Sequence, residues 1–477
     1  MMVRQQIILR DICLSGNKHH GSLSDIPDFH VTSLTRTSPT PLSPMHAPSQ
    51  DPQHPPASAS APAPAPAPAP ALSLPRATGP LHGVRVLDLT SVVLGPIATQ
   101  ILGDYGADVV KVESLEGDLM RSNGVSLHRG MSSIFLAVNR NKRSVAVNLK
   151  TDAGRAAVQA LIAGADVLVH NMRVAAIERL GLGYAAVQAI NPKIVYCMAT
   201  GFGQDGPDAH RPAFDDVIQA ACGLAALTGH DREQPGYVPS LIADKTTGLA
   251  VVNAVLAALF HRERTGQGQQ VEVPMFETMV AFTLAEHLGG LTFDPAPAKA
   301  GYARLLAGGR KPAPTRDGFV ALLPYSGEHW VGLFQAAGRP DLIAKYQLHD
   351  RQERNARITE LYADLATVTR AMATADLLAL CDALDMAATR LYGIDDLPAH
   401  PHLQSVGLFQ PLAHPSEGDT VTVRPPTRFE RTPASVRFGA PLLGQHSCEL
   451  LAEAGVSADT LARWLADGVI HQSTCAG

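Results

Sequence analysis

Among the 44 acidic residues of the chain, Asp244 holds a position suited to chemistry. It lies in Ser240-Leu-Ile-Ala-Asp244-Lys-Thr-Thr-Gly248, ahead of apolar residues at helical spacing: Leu249, Val252, Leu256, Leu259 and Phe260. Thr246 and Thr247 precede that run as helix starts do, and Thr265-Gly266-Gln267-Gly268 carries the residues of a helix stop. The spacing predicts a long buried helix over 246–264, with Asp244 at or just before its amino end. A carboxylate there has two readings. As a cap it accepts hydrogen bonds from the orphan amides of the first turn. As a nucleophile it uses the anionic form that a helix amino end favours, because only the anion attacks a carbonyl. The residue types alone leave both open.

Other reactive side chains are less telling. His170 and His230 are isolated from any partner in sequence, and a lone histidine is more often structural or exposed than catalytic. Cys197 falls in an apolar stretch and reads as a core residue. The six cysteines are scattered, with neither metal spacing nor a compact disulfide framework, so a reducing cytoplasm is expected. No G-x-G-x-x-G follows the first strand and no G-x-x-x-x-G-K-[ST] occurs, which argues against dinucleotide and P-loop chemistry. A net charge of -5 gives no reason to expect a nucleic-acid partner, and no apolar run near membrane-span length is expected.

Asp244 needs a scaffold, and the chain predicts one. Strands are expected at 84–89, 107–113, 143–148, 166–170 and 194–198. Helices are expected from Gly95 to Leu102, 151–163 and 175–180. Such alternation argues for a parallel sheet covered on both faces. Ligands of these sheets sit at the carboxyl ends of the strands, which places 91–96, 171–173 and 200–206 near a site. Residues 290–317 read as a linker or active-site loop. A strand at 318–323 and helices at 329–337, 355–366 and 373–384 suggest a smaller α+β domain. Residues 1–80 are rich in Pro, Ser, His and Ala, end in alternating Ala-Pro, and cannot build a core. A disordered tail without a secretory signal is expected there.

Several segments, in order, resemble the family III CoA-transferases, also called the CaiB/BaiF family. They include Leu81-His-Gly-Val-Arg-Val-Leu-Asp-Leu89, Gly106-Ala-Asp-Val-Val-Lys-Val-Glu113, Asn139-Arg-Asn-Lys-Arg-Ser144, Glu178-Arg-Leu-Gly-Leu-Gly-Tyr184, Gly201-Phe-Gly-Gln-Asp-Gly-Pro207, Ala243-Asp244, Arg264-Thr-Gly-Gln-Gly268 and Pro441-Leu-Leu-Gly-Gln-His446. The resemblance implies an α/β fold: a large Rossmann-like parallel-sheet domain built from both chain ends (81–290 and 405–471), with a smaller α+β domain inserted at 300–400. It also implies an interlocked homodimer. The implied activity is transfer of CoA from an acyl-CoA donor to a carboxylic acid acceptor, with the CoA thioester as substrate and no further cofactor or metal. Neither nucleic acid nor membrane is an implied partner.

The family's aspartate nucleophile falls on Asp244. Its CoA-binding positions fall on Val92, Val147, Asn148, Leu149, Lys150, Asn171, Met172, Arg173 and Arg179, of which Lys150 and Arg179 suit phosphate as long cations. A glycine-rich loop implies oxyanion donors near Gly308 and Gly309. Two positions depart from the pattern: Ser114 and Val93 stand where some members carry an arginine and a glutamine. The α-methylacyl-CoA racemases share the implied fold and use a histidine opposite the aspartate. Ala213-Phe214-Asp215 falls on the racemase Gly-His-Asp, and Phe214 cannot carry a proton. A further alternative, an inactive CoA-binding protein, would sit better with an altered Asp244 than with the aspartate present.

Overall fold

A computed structural model of the chain describes residues 77–230, 234–306 and 310–473. The expected tail therefore lies, as far as residue 76, outside the described residues, as do Gly308 and Gly309.

The strands β1 (Arg85–Leu89), β2 (Asp108–Glu113), β3 (Lys142–Val147), β4 (Val167–His170), β5 (Val195–Thr200) and β6 (Gln269–Pro274) form one sheet in the spatial order β3-β2-β1-β4-β5-β6. All neighbouring pairs among these six are parallel. Val, Leu and Ile alternate between two buried faces, the pattern of a sheet covered on both sides. Val86, Val109, Val169 and Cys197 pack toward one layer, with Leu94, Ala98 and Leu102 of the first helix (Leu94–Asp104) and Val251, Val255 and Ala258 of the long helix (Ile242–Thr265). Leu87, Val110, Val145, Leu168 and Tyr196 pack toward the other, with Leu161 and Ile162 of the Asp152–Ala163 helix and Leu450, Leu451 and Leu461 from the end of the chain.

A small antiparallel sheet is built from β7 (Ala313–Pro314), β8 (Phe319–Leu322) and β9 (Ala388–Arg390), with its own buried cluster centred on Trp330, Phe334, Tyr346 and Leu361. The hairpin β10 (Phe409–His414) and β11 (Gly418–Val423) follows. The last strand, β12 (Ile470–His471), returns to the large sheet and pairs antiparallel with β3. The Asn148 amide also donates to the Val469 carbonyl (2.8 Å), so the chain's end borders the carboxyl end of β3.

The long helix corrects two sequence expectations. It begins at Ile242 rather than near Thr246, so Asp244 lies at its amino end, inside the first turn. By length and composition it also matches a membrane span, which the sequence reading did not anticipate, but half of that window is buried within the fold. The helix approaches the first helix closely at Gly248, where a Cβ would lie 2.6 Å from Ile97 Cγ2 and 2.8 Å from the Leu94 carbonyl oxygen.

Candidate active site

The chain builds β1, β2 and β3 outward in one direction, then returns to place β4, β5 and β6 on the other side of β1. This reversal opens a crevice beyond the carboxyl ends of β1 and β4, the place where sheets of this kind bind ligands. Asn171, just past β4, closes its base: its Nδ2 donates to the Ser91 carbonyl (2.8 Å) and its Oδ1 accepts from the Ser91 amide (3.0 Å). A cleft of about 270 Å³ opens there, lined among others by Ser91, Val92, Asn171, Met172, Arg173, Gly201, Arg211, Phe214 and Asp244.

The turn after β1 is held by buried charge. Val92 has φ 73, a left-handed conformation that a β-branched residue adopts only under constraint. Its amide donates to Asp118 Oδ1 (3.1 Å), while Asp118 Oδ2 pairs with Lys111 Nζ (2.9 Å). Lys111 also donates to the Thr90 carbonyl (2.9 Å), just before the turn. Burial would raise the Asp88 carboxyl, but the Lys142 and Lys111 ammonium groups outweigh it and hold it at about 2. Removing one partner of such a pair strands a buried charge, at a cost of roughly 3–5 kcal/mol. The cleft wall is thus fixed from beneath.

Asp244 is 8% exposed. Among the described residues no donor hydrogen-bonds its carboxylate, and the first turn of its helix has no side-chain cap. The cap reading is therefore not realised by Asp244. Asp215, at the start of the Asp215–Ala221 helix, takes that part: its Oδ2 accepts from the Asp244 amide (3.0 Å). Asp215 is itself oriented by Gln219, whose Nε2 donates to Oδ1 (2.6 Å) and whose Oε1 accepts from the Val238 amide (2.9 Å). Both Asp215 and Gln219 are buried. The sequence argument from helix amides expects a favoured anion. Burial and, second to it, the Asp215 charge act the other way and push the Asp244 carboxyl up to about 7. The result is a carboxylate with unengaged lone pairs, poised between its two protonation states near neutral pH.

The other sequence candidates divide. Val92, Asn171, Met172 and Arg173 line the cleft with Asp244. Val147, Asn148, Leu149, Lys150 and Arg179 are not among its lining residues. Val147 is buried in the core and paired with Ile470 of β12, whereas Lys150 and Arg179 are exposed. Val93 is buried and Ser114 exposed. His170 is fully buried against Tyr196, with ring centroids 5.2 Å apart, and burial lowers it to about 4, so it is neutral. His230 bonds the Leu227 and Leu306 carbonyls. Burial pushes the Cys197 thiol up to about 12 and leaves it inert.

Sequence reasoning missed Asp215, Gln219 and Arg211 as parts of the site. The doublet Asp215-Asp216 opening a helix was the available signal for the first. Arg211 lines the cleft, and its ion pair among the described residues is with Asp208 at the surface (3.2 Å). Gly201 lets this segment close in, since a Cβ there would lie 2.4 Å from Ala213 Cβ.

Comparison with known proteins adds a likeness over nearly all of this architecture. The family model described as CoA-transferase family III matches residues 81–447. The chain is 36% identical over 393 residues to succinyl-CoA:mesaconate CoA-transferase of Haloarcula marismortui, covering 80% of this chain and 98% of that one. It is 32% identical to succinate–glutarate CoA-transferase of Agrobacterium fabrum, covering 80% and 97%. Among solved structures, a CAIB/BAIF family protein from Brucella suis superposes with TM-score 0.69 at 31% identity, covering 79% of this chain and 100% of that one.

Proposed function

The chain belongs to CoA-transferase family III and is a CoA-transferase, and from that premise we propose that it moves CoA between two carboxylic acids through a thioester on Asp244. The observation that carries the reading is the free Asp244 carboxylate at the crevice of the sheet. A carboxylate oxygen of Asp244 attacks the donor's thioester carbonyl. The carbon–sulfur bond breaks, CoA leaves as thiolate, and a mixed anhydride remains. The thiolate attacks Cγ of Asp244, the anhydride carbon–oxygen bond breaks, and the donor acid leaves as carboxylate. The acceptor carboxylate then attacks the aspartyl-CoA thioester, expels thiolate and forms a second anhydride. Thiolate attack on the acceptor's acyl carbon releases the new acyl-CoA and restores Asp244. No proton is gained or lost over the cycle, and each step exchanges one activated acyl group for another. A serine or cysteine could take the donor's acyl group but could not itself accept CoA as an acyl-CoA.

The named relatives act on succinate, mesaconate and glutarate, which supports small dicarboxylic acids as the substrate class. Arg173 and Arg211 in the cleft suit such acids, because a guanidinium pairs a carboxylate through two parallel hydrogen bonds. Racemisation is disfavoured, since the position facing Asp244 in racemases is occupied by Phe214, which lines the cleft without a titratable group.

Trapping tests the mechanism. With acyl-CoA present, borohydride should reduce the aspartyl thioester to an alcohol, and the mass change should map to the peptide holding Asp244. Asp244→Asn keeps the shape and removes the anion, so it should fold normally and lose transfer by a factor on the order of 10³ or more. A label on another residue, or near-native transfer by the Asn variant, would sink the reading.

A further inference from the structure

Away from the Asp244 cleft, three arginines converge, and among the described residues no carboxylate lies within ion-pair distance of them. Arg304, Arg351 and Arg354 line a second cleft of about 200 Å³ that shares no residue with the first. Among the described residues, none of the three forms an ion pair with a carboxylate. Arg354 is only 7% exposed, and its Nη1 donates to the Leu348 carbonyl (2.6 Å), which holds the guanidinium in place. Arg304 lies over the Tyr325 ring, 5.7 Å from its centroid. Asp350, next to Arg351, is engaged elsewhere, capping the Arg351–Ala356 helix by accepting from the Gln352 and Glu353 amides. Glu328 and Glu353 are exposed and form no ion pair with the three, although the Glu328 charge is near enough to interact with Arg354. Burying one arginine and gathering two more about it, with only an exposed carboxylate beyond ion-pair distance, is costly unless an anion joins them.

We propose that this cleft is a second binding site, taking a short-chain dicarboxylate. Three guanidinium groups offer donors and no acceptor, so the ligand must bring acceptors and more than one negative charge. The volume is below the roughly 300–1,000 Å³ of sites for drug-sized molecules and suits a small anion. Trp330 and Ile358 complete the wall with apolar surface, which suits a methylene spacer between two carboxylates better than a compact phosphate. The site stands independently of the mechanism at Asp244.

Calorimetry on the full chain with succinate, butyrate and inorganic phosphate tests this. Wild type should bind succinate at least about tenfold more tightly than either other probe. Relative to wild type, Arg304→Gln/Arg351→Gln should lose one succinate per chain or weaken it by about tenfold, with Arg351→Lys in between because it keeps charge but not the fork. The thermal shift produced by CoA should be the same in wild type and variants, which shows the fold and the main cleft intact. Should the double variant fold poorly, Arg351→Gln alone alters only an exposed side chain and serves the same comparison. Succinate binding unchanged in the variants, or phosphate or butyrate binding as tightly as succinate, would overturn the proposal.

Discussion

Asp244 must be anionic to attack, yet the protein holds its carboxyl near pH 7. The proposed chemistry therefore predicts a pH profile. For the free enzyme, kcat/KM should rise with pH through about 7 and level off above it, as Asp244 loses its proton. Asp215→Asn keeps an oxygen to accept the Asp244 amide but removes the neighbouring charge. That variant should move the rising limb to lower pH by about one unit and leave the plateau largely unchanged. An unmoved limb would show that the titrating group is not Asp244 under the influence of Asp215. Asp244 was legible as a candidate because it stands at the start of a long apolar stretch and because the resemblance puts the family's nucleophile there. Of Asp215 only the helix start was legible; its contact with Asp244 spans 29 positions, and no local pattern encodes it.

At the scale of the element, the long helix was foreseen in type but not in phase. Leu249 and Phe260, expected inside, are 54% and 63% exposed, while Val251, Val255 and Ala258 are buried. Apolar residues surround this helix, so periodicity admits more than one inward face, and the close contact with the first helix chooses the one with small side chains. Gly248 makes that contact possible. Gly248→Val would place branched carbons against the Leu94 backbone oxygen, which cannot move aside as a side chain could. A loss of roughly 3 kcal/mol is expected from chemical denaturation, with a larger fractional loss of transfer because Asp244 lies one turn away. A variant as stable and active as wild type would mean the two helices are not locked at this point. The first five strands were placed within about two residues of their observed ends, because buried parallel strands carry continuous apolar runs between clear turn signals. β12 was invisible, since two residues show no period.

For the whole molecule, the resemblance implies paired chains, which gives the exposed apolar side chains of the single chain a place to be tested. Val125 (79% exposed), Leu127 (76%), Leu249 and Phe260 are large apolar side chains left in water by the single chain. Light scattering on the purified protein should give about twice the 50.4 kDa chain mass at micromolar concentration. A stable and active monomer would refute the dimer. The alternation of strands and helices made the layered sheet legible. The place of the cleft followed from the general rule about carboxyl ends, whereas the ion pairs beneath Val92 depended on residues from three separate strands and the turn after β2.

The antiparallel pairing of β12 with β3 has a consequence for how the molecule is made. Synthesis runs from the amino end, so β3 leaves the ribosome more than three hundred residues before its outer neighbour exists. Throughout that interval the nascent sheet presents a bare edge able to pair with any extended chain it meets. Whatever shields that edge during translation, the cell's chaperones or a partner nascent chain, the final covering comes only when residues 470 and 471 emerge, so a transcript cut short by even a small fraction of its length would yield a polypeptide with its sheet left open.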